Sequence, residues 1–146
     1  MYASSPDSAD QVSPIGSFTD PEYAQVGLTE AKARESHDVA VTTIRFDGNT
    51  RAIIDGRTTG FCKLIVDGAT CTILGCHVVG ERAVEIVQAV AIAMTARMRV
   101  DDLARVPLSL PTYTSILGRA AYRAAEQLNL DVSGQLYEEK GHPYSR

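Results

Sequence analysis

The sequence has few cysteines, no excess of positive charge and no long apolar run, and each shortage excludes a class of protein. The cysteines number three, and an odd number argues against a disulfide framework. A net charge of −4 argues against nucleic-acid binding, because a phosphate-binding surface usually shows a basic excess. No run approaches the ~18 apolar residues of a membrane span, and residues 1–6 lack the basic and apolar regions of a signal peptide. We therefore predict a cytoplasmic protein that binds neither nucleic acid nor membrane.

The rest of the composition is typical of one globular domain. Apolar residues make up 45% of the chain and charged residues 22%, which is ordinary for a folded protein. Residues 1–17 are rich in Ser, Asp, Pro and Gly and are predicted to be a flexible leader. Residues 18–130 are predicted to form the folded domain, and residues 131–146 a polar tail that is partly ordered at best.

Two apolar runs rich in β-branched residues, at 60–66 and 73–80, predict a β-hairpin around the turn sequence DGAT. A symmetrical loop centred on Ala69 would place Cys62 opposite Cys76. The cysteine spacing matches no CxxC metal or redox pair, so we interpret the cysteines as reduced core thiols and assign no metal site.

A long helix at 81–98 follows the hairpin, and it is apolar on nearly every side. Its first stripe consists of Val84, Val87, Ala91 and Met94, and a second apolar stripe lies beside it. A helix that is apolar nearly all round cannot have one face in water. In so short a chain we expect a second subunit to cover the first stripe, which is the predicted dimer interface.

Shorter patterns predict the remaining elements: a strand at 24–28, a helix at 29–36 capped by Thr29, a strand at 39–46, a short helix at 100–105 and a last helix at 113–129 capped by Thr112. Residues 51–54 fit either a strand or a helical turn, and the helical turn is favoured. Residues 107–111 are predicted to be extended, because a residue before proline avoids the α region. This order predicts an α+β fold, with an antiparallel β-sheet of about four or five strands packed with a long central helix and a C-terminal helix.

Several segments together resemble one known module. Residues 18–22 (FTDPE) and 26–30 (VGLTE) resemble the opening of the C-terminal dimerisation domain of FAD-dependent pyridine nucleotide-disulfide oxidoreductases. Residues 60–65 fit the G-F-x-K-L pattern of that family, and residues 73–80 fit its I-L-G-x-H-x-x-G pattern. The family includes dihydrolipoamide dehydrogenase, mercuric reductase and the soluble pyridine nucleotide transhydrogenase, and the resemblance covers about residues 18–128.

The resemblance implies a homodimer in which the last loop, with Leu110, Pro111 and Thr112, faces the flavin of the partner subunit. Active members usually carry H-P-T-x-S-E in this loop, where the His is the acid/base and the Glu orients it. Here Leu110 stands at the His position and Ser115 at the Glu position. Leucine cannot move a proton, so we assign no catalytic residue and expect the chain to be inactive in isolation. His77, His37 and Glu85 are interpreted as structural groups.

The sequence contains no G-x-G-x-x-G dinucleotide fingerprint, and nothing in it matches the FAD and nicotinamide domains of the family. We therefore expect the chain alone to bind no cofactor, while FAD and NAD(P) are implied for a full-length parent. Its implied partners are a second copy and the FAD/NAD(P)-binding domains of that parent enzyme. Two alternatives stay open: a free-standing, non-catalytic homodimeric interaction protein, and a small-molecule-binding domain that uses the Leu110 loop.

Overall fold

The structure, a computed structural model, describes residues 12–133. Its strands are β1 (Ile15–Ser17), β2 (Tyr23–Gly27), β3 (Val39–Arg45), β4 (Phe61–Asp67) and β5 (Ile73–Val79). Its α-helices are α1 (Glu30–Arg34), α2 (Thr50–Asp55), α3 (Ala83–Thr95), α4 (Val100–Arg105) and α5 (Ser115–Gln127). A 3₁₀ turn at Phe46–Gly48 joins β3 to α2.

The five strands form one antiparallel sheet in the order β1-β2-β5-β4-β3. The predicted α+β fold is confirmed, because α3 packs on β2 and β5 while α5 packs on β3 and β4. Side chains alternate between the two faces of a strand, so Cys62, Leu64, Cys76 and Val78 meet both helices in one buried cluster. The opposite face is covered in part by α1, whose Ala33 is buried.

The hairpin of β4 and β5 is confirmed, but its predicted register is wrong. Cys62 pairs with Val78, and Cys76 pairs with Leu64, so the two cysteines are diagonal neighbours rather than direct partners. Val66 pairs with Ile73, which already moves the pairing by one position from a loop centred on Ala69, and a register shift between Ile65 and Val66 adds the second position. The thiols still lie 3.8 Å apart, and the contact with the Cys62 thiol, together with burial, raises the pKa of Cys76 well above its usual range.

Local capping explains the short helices. The Thr29 side chain accepts a hydrogen bond from the Lys32 amide at 3.2 Å, as predicted for the cap of α1. The 51–54 segment is helical: α2 is capped by Asn49, and it ends at Gly56, whose φ of 67° suits a residue without a side chain.

Two boundaries differ from the prediction. Residues 15–17 are predicted to lie in the flexible leader, but they form edge strand β1. The strand is held by backbone pairing with β2, which the side-chain pattern of three residues does not reveal. Helix α3 is shorter than the predicted 81–98, since positive φ angles at Arg82 (61°) before it and at Arg97 (52°) after it are not helical. The remaining leader at 1–11 and the tail at 134–146 lie outside the described residues. Within residues 12–133, none of the helices has the length and apolar character needed to cross a membrane.

Candidate functional site

The loop before α5 carries the three residues predicted to face a flavin. Leu110 is 59% exposed, and Pro111 is also exposed beyond a cis Leu110–Pro111 peptide bond. Thr112 is half-buried and turns back into the chain. An apolar side chain therefore stands at the tip of the loop, and a polar side chain anchors its base.

Thr112 fixes the entry to α5 from both sides. Its hydroxyl donates to the Ser109 carbonyl at 2.7 Å and accepts from the Ser115 amide at 3.2 Å. Thr112 was predicted to cap α5, but the N-cap position is Thr114, whose side chain makes no capping hydrogen bond, and Thr112 instead holds the Ser115 amide from within the loop.

A buried polar cluster lies beneath this loop. The Ser115 hydroxyl donates to the Thr112 carbonyl at 2.7 Å. The Asn49 side-chain amide donates to the same carbonyl at 3.1 Å and to the Ser115 hydroxyl at 3.2 Å. No sequence motif predicted a functional role for Asn49 or this contact. Its position before a helix was the available signal, but only the fold brings it to residues more than 60 positions away.

Tyr113 follows the loop and points into the domain, where its ring contacts Phe46 edge-on at 6.2 Å between centroids. Its hydroxyl donates to the Asp55 carboxylate at 2.7 Å, and Arg51 pairs with the same carboxylate at 2.9 Å. Burial first, and then the hydrogen bond to Asp55, raise the pKa of Tyr113 to about 12. The phenol therefore stays protonated near neutral pH.

A cleft of about 670 Å³ opens beside the loop. Three arginines, three carboxylates and the loop before α5 line it; the lining residues are Arg51, Asp55, Arg57, Glu81, Arg82, Glu85, Pro111, Thr112, Tyr113 and Thr114. Several of these charges pair with one another: Arg57 lies 2.9 Å from Glu81, and Arg82 lies 3.6 Å from Glu85. The cleft is therefore polar but nearly balanced in charge.

The predicted interface stripe on α3 needs correction. Val87 and Ala91 are 0% and 5% exposed in the single chain, because the sheet covers them. Val84 and Met94 are half-buried, Val84 beside Gly16 and Met94 beside Gly27. The prediction assigned this stripe to a second subunit, whereas the sheet of the same chain already buries Val87 and Ala91. The exposed large apolar side chain on α3 is Ile92.

The histidines interpreted as structural have partners within the fold. His77 lies in β5, with its Nε2 at 3.1 Å from the Leu28 carbonyl oxygen. His37 follows α1, and its Nδ1 lies 2.9 Å from the Asp67 carboxylate rather than beside a helix carbonyl. In the described part of the chain, no three His, Cys, Asp or Glu side chains are grouped so that they could hold a metal ion.

The described fold does not fit a dinucleotide cofactor of the Rossmann type. Such cofactors lie at the carboxyl ends of parallel strands joined by helices. Every strand pair within residues 12–133 is antiparallel. Residues 12–133 therefore form an α+β domain whose hydrophobic core is built from this chain alone, and the tip of its loop before α5 is exposed.

The model of the pyridine nucleotide-disulphide oxidoreductase dimerisation domain matches residues 13–121. The chain belongs to this family, and the resemblance read from its motifs is confirmed. Its role as a dimerisation domain follows from that membership.

Two relatives illustrate the match. The chain is 40% identical over 93 residues to a mercuric reductase of Lysinibacillus sphaericus. This alignment covers 63% of this chain and 17% of that protein. It is 34% identical over 116 residues to a dihydrolipoyl dehydrogenase of Synechocystis, covering 76% of this chain and 24% of that protein. The chain thus spans a quarter or less of the length of these relatives.

Solved structures agree in fold. LpdA from Mycobacterium tuberculosis superposes with a TM-score of 0.74 at 26% identity, over 78% of this chain and 25% of that one. The Cu(II) complex of the HOCl-induced flavoprotein disulfide reductase RclA from Escherichia coli gives a TM-score of 0.75 at 27% identity, over 80% of this chain and 27% of that one.

Proposed function

We propose that this chain is the dimerisation domain of a FAD-dependent NAD(P) oxidoreductase of the cytoplasm. In this proposal it forms the homodimer interface and presents the loop of Leu110, Pro111 and Thr112 to the flavin of the partner subunit. It takes no part in acid–base chemistry. The observation that carries the proposal is an exposed leucine at the tip of a loop whose base is held by buried hydrogen bonds.

The chemistry of the loop supports a contact role. Between Ser109 and Ser115 the one side chain that ionises in water is that of Tyr113. Its hydroxyl is buried and already donates its proton to Asp55, so it is directed into the domain and away from the exposed tip of the loop. Leu110 offers an apolar surface that displaces water. The loop is therefore suited to cover a ring system and not to protonate a dithiol.

The outer face of α3 is the surface we propose for the second subunit. Its exposed positions are Glu85, Gln88, Ile92 and Thr95, spaced as one face of a helix. No charged residue lies between Glu85 and Arg97, so most of this face is uncharged. Depletion of charge around an exposed apolar side chain is typical of the core of an interface.

A mixing experiment tests the proposal. The chain is combined with mercuric reductase from which the matching C-terminal domain has been deleted, and assembly is followed by sedimentation. Because the chain has no tryptophan, Leu110→Trp introduces a single indole at the loop tip. We expect this indole to quench the flavin fluorescence on assembly, since quenching by an indole needs close contact. Ile15→Trp, at a similarly exposed site on β1, is the control and should leave the fluorescence unchanged.

Equal flavin fluorescence with both variants in an assembled complex would refute the contact with the flavin. Flavin absorbance near stoichiometry in the purified chain alone would refute the proposal that cofactor binding lies in other domains. A chain that forms its own dimer but never assembles with the flavoprotein would favour the alternative of a non-catalytic interaction protein. That alternative draws support from the single, self-contained core of residues 12–133.

A further inference from the structure

We propose that Asn49 is the positioning residue of the loop formed by Leu110, Pro111 and Thr112. The inference rests on the proposed function, because a fixed loop matters most when it must meet another subunit. Asn49 touches neither flavin nor substrate in this proposal and acts by holding Thr112 and Ser115.

The Asn49 side chain makes three hydrogen bonds, one within α2 and two to the loop before α5. The Asn49 oxygen accepts from the Ala52 amide at 3.0 Å and so caps α2. Its nitrogen donates to the Thr112 carbonyl at 3.1 Å and to the Ser115 hydroxyl at 3.2 Å. The start of α2 is thereby tied to the loop before α5.

The partners allow one orientation of the Asn49 amide. The Ala52 amide can only donate, so it must face the oxygen of the side chain. The Thr112 carbonyl can only accept, so it must face the nitrogen. Both ends of the amide are therefore committed, and a flipped side chain would lose both contacts.

Burial makes this tie costly to break. Asn49 is 2% exposed and Ser115 is 5% exposed. A buried donor that loses its acceptor is not rehydrated by solvent and costs more than the hydrogen bond itself contributes. Movement of Thr112 away from Asn49 would leave such a donor, so the cluster favours a single position of the loop.

The test separates the cap of α2 from the tie to the loop. Asn49→Asp keeps the oxygen that accepts from Ala52, and Asp is a good helix cap, but it removes both donated bonds to the loop. Asn49→Ser also keeps a capping oxygen, adds no charge and is too short to reach Thr112. Thr42→Val is the control, because it deletes one partly buried side-chain hydrogen bond, at 3.2 Å to Gln127, at the opposite end of α5 from the loop.

Two measurements on the full 146-residue chain report on the loop itself. Amide hydrogen exchange at Ser115 and Ile116 should be roughly 5- to 30-fold faster in both Asn49 variants, as expected for the loss of one or two ordinary hydrogen bonds. In the Leu110→Trp background, both variants should lower the fluorescence anisotropy of the indole. Thr42→Val should change neither measurement.

Exchange at Ser115 that is no faster in the Asn49 variants than in Thr42→Val would overturn the proposal. Equal acceleration of the β4 and β5 amides would also overturn it, since the effect would then be a global loss of stability. A mobile loop in the Asn49 variants, combined with no flavin contact in the mixing experiment, would support the role of Asn49 and refute the proposed function. The two ideas can therefore fail separately.

Discussion

Two substitutions on α3 should have opposite effects on folding and on association. Val87→Asp places a carboxylate at a position that is 0% exposed in the single chain, whereas Ile92→Asp places one at a position that is 65% exposed. We expect Val87→Asp to prevent folding and Ile92→Asp to leave the fold intact while breaking the dimer.

The magnitudes follow from burial. An unpaired carboxylate in an apolar core costs several kcal/mol, a large part of the ~5–15 kcal/mol by which a domain is stable. Fully burying an Ile side chain contributes about 1.5–3 kcal/mol, so covering the exposed two-thirds of Ile92 contributes about 1–2 kcal/mol per subunit. A symmetric dimer buries it twice, and a loss of about 2–4 kcal/mol raises the Kd roughly 30- to 1,000-fold.

Sedimentation velocity over a range of concentrations measures the association, and thermal unfolding checks the fold. Ile54→Asp is the matched control, because Ile54 is 63% exposed but lies on α2. It should sediment like the unchanged chain. A dimer that survives Ile92→Asp undiminished, or one that dissociates with Ile54→Asp instead, would refute the placement of the interface on α3.

Three further predictions concern the fold around the loop and the sheet. Tyr113→Phe removes a hydrogen bond to the Asp55 carboxylate and should cost about 1.5–3 kcal/mol of unfolding free energy. Because the pKa of Tyr113 rises from 10.0 to about 12 on folding, the chain should lose stability as the pH rises between these values, and pH-dependent unfolding of the Phe variant should lack that loss. Gly75→Ala would bring a methyl group 2.2 Å from the Leu28 carbonyl oxygen and should lower the free energy of unfolding in denaturant by about 1–3 kcal/mol. Gly56→Ala would meet no atom within 4 Å, but its φ of 67° is strained for alanine, so it should lower that free energy by about 1 kcal/mol or less. All three cysteine thiols are buried, so a thiol reagent should label them only as fast as the chain opens, and rapid labelling of the folded chain would contradict their placement.

Local chemistry determined much of what could be predicted from the sequence. The hairpin and the Thr29 cap depend on neighbouring residues, and each is present in the structure. The family resemblance depended on short motifs in the right order, and the match to residues 13–121 confirms it. The order Leu110, Pro111 and Thr112 before the last helix is likewise visible in the sequence alone.

The tertiary structure decided everything that depends on distance in space. The burial of Val87 and Ala91 follows from which element lies over α3, and an apolar stripe has the same pattern whether a sheet or a second subunit covers it. The hydrogen bonds from Asn49 to the loop join residues far apart in the chain, and no local pattern encodes such a contact. The sequence by itself determined the family and most of the elements, whereas only the packing of the chain decided which apolar face remains exposed and what holds the loop.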